Sequence, residues 1–140
     1  MGSVNSVCAF ATVSLVVDAA SIQAYAELTD DFNPIHIDPV FAATTPMGGV
    51  IAHGTMSICL IWQMLQKNLG ADVFKSPALD VRFLKPVREG ELLTAGGSPN
   101  ASAPGLFDVW VRGTDGSERI VGTLWLPANA PAALIQGADK

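Results

Sequence analysis

The stretch from Met56 to Trp62 is apolar almost all round the helix it would form, with Ser57 the one exception. A helix of that kind has no face to offer water and has to be covered on every side. The helical segment runs from about Thr55 to Leu69 and is closed by Gly70. At about 1.5 Å per residue it spans roughly 20 Å, too short for a bilayer, and its Gln, Lys and Asn residues cluster at the C-terminal end. The chain beyond it is nearly all strand-like: Ala78–Val87, Glu91–Ser98, Leu106–Gly113 and Glu118–Leu126, at meander spacing and divided by turn residues such as Arg88-Glu89-Gly90 and Asp115-Gly116. A helix succeeded by grouped strands places the chain in the α+β class, with one antiparallel sheet curled around the buried helix.

Ahead of the helix, Cys8–Val17 reads as a first strand, and Asp18 as the N-cap of a helix from Ala19 to about Leu28 with Ile22, Tyr25 and Ala26 on its apolar face. A short helix is expected from Pro39, with Asp38 as its N-cap. The 140 residues fit one domain, 1–140, with an Ala- and Pro-rich tail at 127–140 expected to be loose.

Composition removes several classes of function. Hydrophobic residues make up 49% and charged residues 15%, so the chain is not disordered. The net charge is −5 and the first basic residue is Lys67, which leaves no basic stripe for nucleic acid and no positive region ahead of a secretory signal. Neither a nucleic acid nor a membrane is expected as a partner. Cys8 and Cys59 stand alone in apolar runs without metal-ligand spacing, which suits buried thiols, a reducing cytoplasmic setting and chemistry without a metal or other cofactor.

The chemistry-bearing residues concentrate in Asp31-Phe32-Asn33-Pro34-Ile35-His36, with Asp38 two residues on, which sets a carboxylate and an imidazole on either side of a Pro-stiffened turn. The only other histidine, His53, directly precedes Gly54 at the entrance of the central helix. Each residue has a structural alternative. Asp31 can close the first helix, His36 can be a loop histidine, Asn33 can tie down the turn, and His53 can be a core residue.

These segments, with Asp38-Pro39-Val40-Phe41-Ala42, Ile51-Ala52-His53-Gly54-Thr55-Met56 and the later Val81-Arg82-Phe83-Leu84-Lys85-Pro86-Val87 before Gly90-Glu91-Leu92, resemble the hydratase-2 motif and subsequent strands of the MaoC-like, (R)-specific enoyl-CoA hydratases. The resemblance runs from about Ser14 to Leu126. It implies a hot-dog fold, a homodimer, and reversible hydration of a 2-enoyl thioester carried by coenzyme A or acyl carrier protein. It also implies that Asp31 and His36 hold the water, and that the Gly54 N–H receives the thioester oxygen; Asn33 and His53 are expected beside Gly54 as oxyanion- or substrate-binding residues. One position departs from the family pattern. Where members often carry a small residue, commonly serine, this chain has Trp62. Ile58, Trp62 and Leu65 share a helix face by spacing, and the resemblance implies that this part of the helix borders the acyl chain.

Two other readings remain open from the residues. A hot-dog thioesterase would use a carboxylate that several such families place on the central helix, and none stands between His53 and Gly70. A non-catalytic acyl-thioester-binding subunit would keep the fold without turnover. Arg82, Lys85 and Arg88 form the nearest basic cluster for pantetheine or nucleotide phosphates, or else a solvated turn.

Overall fold

The computed structural model describes residues 9–126; residue 8 and the expected tail at 127–140 lie outside the described residues. The elements in chain order are β1 (Val13–Val16), α1 (Ala19–Thr29), α2 (Pro34–Ile37), α3 (Pro39–Ala43), α4 (Gly54–Leu69), a 3-10 turn at Ala71–Phe74, and the strands β2 (Ala78–Phe83), β3 (Leu92–Pro99), β4 (Leu106–Arg112) and β5 (Glu118–Trp125). All strand pairs are antiparallel and form one five-stranded sheet in the order β1-β3-β4-β5-β2.

The alternation expected of half-buried strands is clearest in β4, where Phe107, Val109 and Val111 are buried and Asp108, Trp110 and Arg112 face outward. The inward face meets α4 through Leu60, Ile61, Met64 and Leu65, with Leu93, Ala95, Ile120 and Leu124 completing the core. This is the α+β sheet-around-helix arrangement expected from the sequence.

Four expectations need correction. The meander holds for β3–β4–β5, but β2 crosses over to pair with β5, because its pairing is settled by the sheet's closure around α4 rather than by sequence proximity. The first strand is shorter than expected. Ala11 leaves the ladder because the side-chain amide of Asn68 on α4 takes its backbone, accepting from its N–H at 2.8 Å and donating to its carbonyl at 2.8 Å. β2 ends at Phe83, where Leu84 and Lys85 both turn their N–H groups to the Arg119 carbonyl and Pro86 has none to offer. Finally, α4 is not covered all round by the described residues: Ile58 and Trp62 are half-buried and Cys59, with a thiol expected to be buried, is exposed.

The departure of the chain from the sheet after Phe83 matters for the site. Residues 84–88 cross the N-terminal end of α4, where Val87 accepts from the Ala52 N–H at 2.8 Å and Arg88 bridges to Ile51. The edge of the sheet and the entrance of the helix are thereby brought together.

Candidate active site

Three short-range devices set the geometry around Asp31 and His36. Helix α1 is started by a capping box between Asp18 and Ser21 and ends on Asp30 in the left-handed conformation, φ 56°. That turn throws the chain away from the helix axis at Asp31. Asn33 then caps α2, accepting from the Ile35 N–H at 3.1 Å, with Pro34 at the first helical position. The sequence shows α2 only as a stiffened bend, since four residues carry no helical periodicity. Asp38 caps α3 as expected, accepting from Val40 and Phe41. Asn33 and Asp38 are thus occupied with holding the loop.

His36 is half-buried and its Nδ1–H donates to the Ile51 carbonyl at 2.7 Å. A carbonyl can only accept, so this bond fixes the tautomer and leaves Nε2 free. His53 is 2% exposed, and its Nε2–H donates to the backbone carbonyl of Asp31 at 3.0 Å. The two imidazoles stack with centroids 3.9 Å apart, and Tyr25 meets His53 edge-on at 5.0 Å. His53 therefore joins the segment carrying Asp31 to the ring of His36 while facing away from solvent.

The Asp31 side chain is exposed, and one of its oxygens, a His36 nitrogen and a His53 nitrogen all lie within 4.8 Å of one another. Two hydrogen bonds of ordinary length converging on one water at a tetrahedral angle place their outer atoms about 4.6 Å apart, a separation that falls within this bound. The same three residues are the one metal-ligand grouping found among the described residues. As a metal cradle it is poor. Each histidine has one nitrogen committed to a carbonyl, the remaining Nδ1 of His53 is buried, and near-parallel stacked rings aim their lone pairs side by side rather than at one point.

A cavity of about 300 Å³ opens beside this group, lined by His36, Met47, Gly54, Ser57 and Phe83 among others. Gly54 begins the 16-residue helix α4, so its N–H belongs to the first turn, which has no intrahelical acceptor. A side chain at Gly54 would press on the Phe83 ring, with a Cβ 3.0 Å from Cε1, and the exposed ring would have to shift to admit it. Arg119 lines the far side, 7% exposed and paired with Glu91 at 2.6 Å. Burial would raise the Glu91 carboxyl, but the Arg88 N–H and the Arg119 guanidinium outweigh it and hold the group below its ordinary value.

The structure brings together Asp31, His36, His53 and Gly54, and it places the three expected acyl-pocket residues elsewhere. Leu65 is fully buried in the core, Ile58 packs at its edge, and Trp62 packs against Phe74 with centroids 5.7 Å apart; none of them lines the cavity at His36. The basic trio is dispersed: Arg88 donates to the Met47 carbonyl, Lys85 reaches Ser117 and lines the cavity, and Arg82 lies on β2. Sequence reasoning passed over Ser57. The signal was present in its being the one hydroxyl in the apolar run Met56–Trp62, three residues from Gly54.

Comparisons with known proteins show what the chain is similar to. Over 77 residues the chain is 38% identical to an (R)-specific enoyl-CoA hydratase from Aeromonas caviae, covering 55% of this chain and 58% of that protein. A 3-hydroxybutyryl-CoA dehydratase from Methylorubrum extorquens is 35% identical over 77 residues, covering 55% of this chain and 49% of its own length. The chain thus spans about half the length of the curated relatives it matches. A solved structure described as the (R)-hydratase from A. caviae involved in PHA biosynthesis superposes with a TM-score of 0.72 at 28% identity, covering 91% of this chain and 100% of that one, which bears out the hot-dog fold. The family model for the MaoC like domain matches residues 9–100, and this chain belongs to that family.

Proposed function

We propose that the chain catalyses reversible hydration of a 2-enoyl thioester, with coenzyme A as the carrier its relatives' names favour. The observation that supports the reading is the convergence of Asp31 and His36 to within 4.8 Å, beside a cavity that Gly54 lines at a helix N-terminus.

In the hydration direction the shared water attacks C3 of the enoyl group. Its proton passes to the Asp31–His36 pair as the C–O bond forms. The C2=C3 π electrons move towards the thioester carbonyl, giving an enolate whose oxygen takes the Gly54 N–H bond in the positive end of the α4 dipole. The pair then gives a proton to C2, which completes the addition and returns the pair to its starting state, and dehydration is the same path reversed. Fixing the water between two groups on one side of the substrate makes attack occur on one face, so a single 3-hydroxy enantiomer results. Asn33 and His53 contribute by holding the loop and the pair, as their bonds to Ile35 and to the Asp31 carbonyl support.

Incubating the chain with a 2-enoyl-CoA and, separately, a saturated acyl-CoA tests this. Loss of enone absorbance without thiol release is expected. Thiol release from the saturated substrate would favour a thioesterase, and binding of both without turnover would favour a non-catalytic subunit.

We also infer pairing with a second copy. Among the described residues, strands β1 and β2 are the edges of the sheet, and Phe83, Leu84 and Trp125 leave apolar surface exposed beside β2. Light scattering should give a dimer or larger assembly; a monomer at working concentration would refute it.

A further inference from the structure

Helix α4 begins with two hydroxyl side chains, and they are used differently. Thr55 is exposed and its Oγ1 accepts a 2.7 Å bond from the Tyr25 hydroxyl, on the side where Cys59 also lies. Ser57 is 2% exposed, lines the cavity with His36 and Gly54, and has no hydrogen-bond partner for its hydroxyl among the described residues. A buried helical serine ordinarily returns its hydroxyl to the carbonyl one turn back, as Thr29 does to the Tyr25 carbonyl at 2.8 Å. Among the described residues the sealed side-chain polar atoms without a partner are the His53 Nδ1 and the Arg119 Nε, so the Ser57 Oγ is not sealed in but opens to the cavity, where a ligand can reach it.

The position fixes what it would touch. Ser57 is three residues beyond Gly54, so the two share one helix face. The Cα–Cβ bond in a helix tilts towards the N-terminus, which carries the Ser57 side chain over the turn that holds the Gly54 N–H. Both residues line one cavity. A carbonyl oxygen has two lone pairs and accepts two donors.

From this arrangement we propose that the Ser57 hydroxyl is the second donor to the thioester carbonyl oxygen, completing with the Gly54 N–H a two-donor site for the enolate. This rests on the hydration reading and deepens it. The hydroxyl donates one hydrogen bond as negative charge grows on the oxygen and keeps its own proton throughout. Its contribution is largest in the transition state, where the oxygen is most negative.

Ser57→Ala and Ser57→Thr test the assignment beside the unaltered chain, with three readouts. Ser57→Ala should lower kcat on a 2-enoyl-CoA on the order of 10²-fold with little change in KM, and Ser57→Thr, which keeps a hydroxyl, should recover part of the loss. The infrared carbonyl band of a bound, carbonyl-¹³C-labelled saturated acyl-CoA should lie at higher frequency in Ser57→Ala than in the unaltered chain. Thermal melts show whether the variants remain folded. A folded Ser57→Ala with unchanged kcat and an unchanged carbonyl band overturns the proposal while leaving hydration by Asp31 and His36 standing. Absence of hydration by the unaltered chain removes the functional reading and this inference with it.

Discussion

The two ends of helix α4 contrast in what their polar groups do. At the N-terminal end His53, Gly54 and Ser57 surround an open cavity, and the stacked pair of histidines reaches out to an exposed carboxylate. At the C-terminal end Leu65 and Leu69 are buried, Trp62 packs on Phe74, and Asn68 spends its amide on the backbone of Ala11 and the carbonyl of Met64. One end leaves donors free for a ligand, and the other satisfies its polar groups internally and seals the core. A single helix therefore separates chemistry from stability along its length. Substitutions at the two ends should sort the same way, into losses of rate and losses of melting temperature.

The largest expected effect is at the open end. Asp31→Asn and His36→Ala should each lower kcat on the order of 10²-fold or more, with a much smaller change in KM and a melting temperature close to that of the parent. Steady-state kinetics and a thermal melt on the same samples check this. A large drop in melting temperature for either would show that the exposed end is also a structural keystone and would break the contrast.

The second effect sharpens the contrast by probing what supports the cavity wall. Glu91 pairs with Arg119 across a nearly dry contact, the side chains being 14% and 8% exposed. Removing one partner of such a pair while the other stays buried costs about 3–5 kcal/mol. Because the folded Glu91 carboxyl titrates below its ordinary value near 4.5, its contribution is present above that value and is lost as the pH falls through the lowered one. Glu91→Gln should therefore destabilise the fold at neutral pH, and its denaturation midpoint should converge with that of the parent in acid. A difference independent of pH would mean that the charge of Glu91 contributes nothing.

The smallest of these effects belongs to the sealed end. Trp62 is half-buried, so Trp62→Ala should cost about 2–3 kcal/mol, less than the 3–5 of a fully buried tryptophan, with unchanged kcat/KM ratios between short, long and branched enoyl substrates. A shift in those ratios would put the acyl group against Trp62 after all and dissolve the division between the two ends.

The same contrast explains what can be read from the sequence. The central helix, the helix caps at Asp18 and Asp38, the hairpins of β3–β4–β5, and the Asp31–His36 turn are legible because each is written in a few neighbouring residues. The partner of β2 is not, since strand spacing carries no information about closure around a helix. The bonds of Asn68 to Ala11 and of His53 to Asp31 join residues far apart in the chain, and nothing local announces them. Trp62 stands out as a departure from a family pattern aligned position by position, whereas the cavity is lined by Ser57, more than one helical turn earlier. Cys59 reads as buried because its neighbours are apolar, but the described residues leave it exposed on α4.

The central claim is that Asp31 and His36 act together on one water during enoyl-thioester hydration, and a double-mutant cycle in kcat tests it most directly. If they share the water, either substitution already abolishes its positioning, so Asp31→Asn/His36→Ala should lose little more than the worse single variant. A double variant whose loss equals the product of the two single losses, or a single variant with near-normal hydration, would contradict the account.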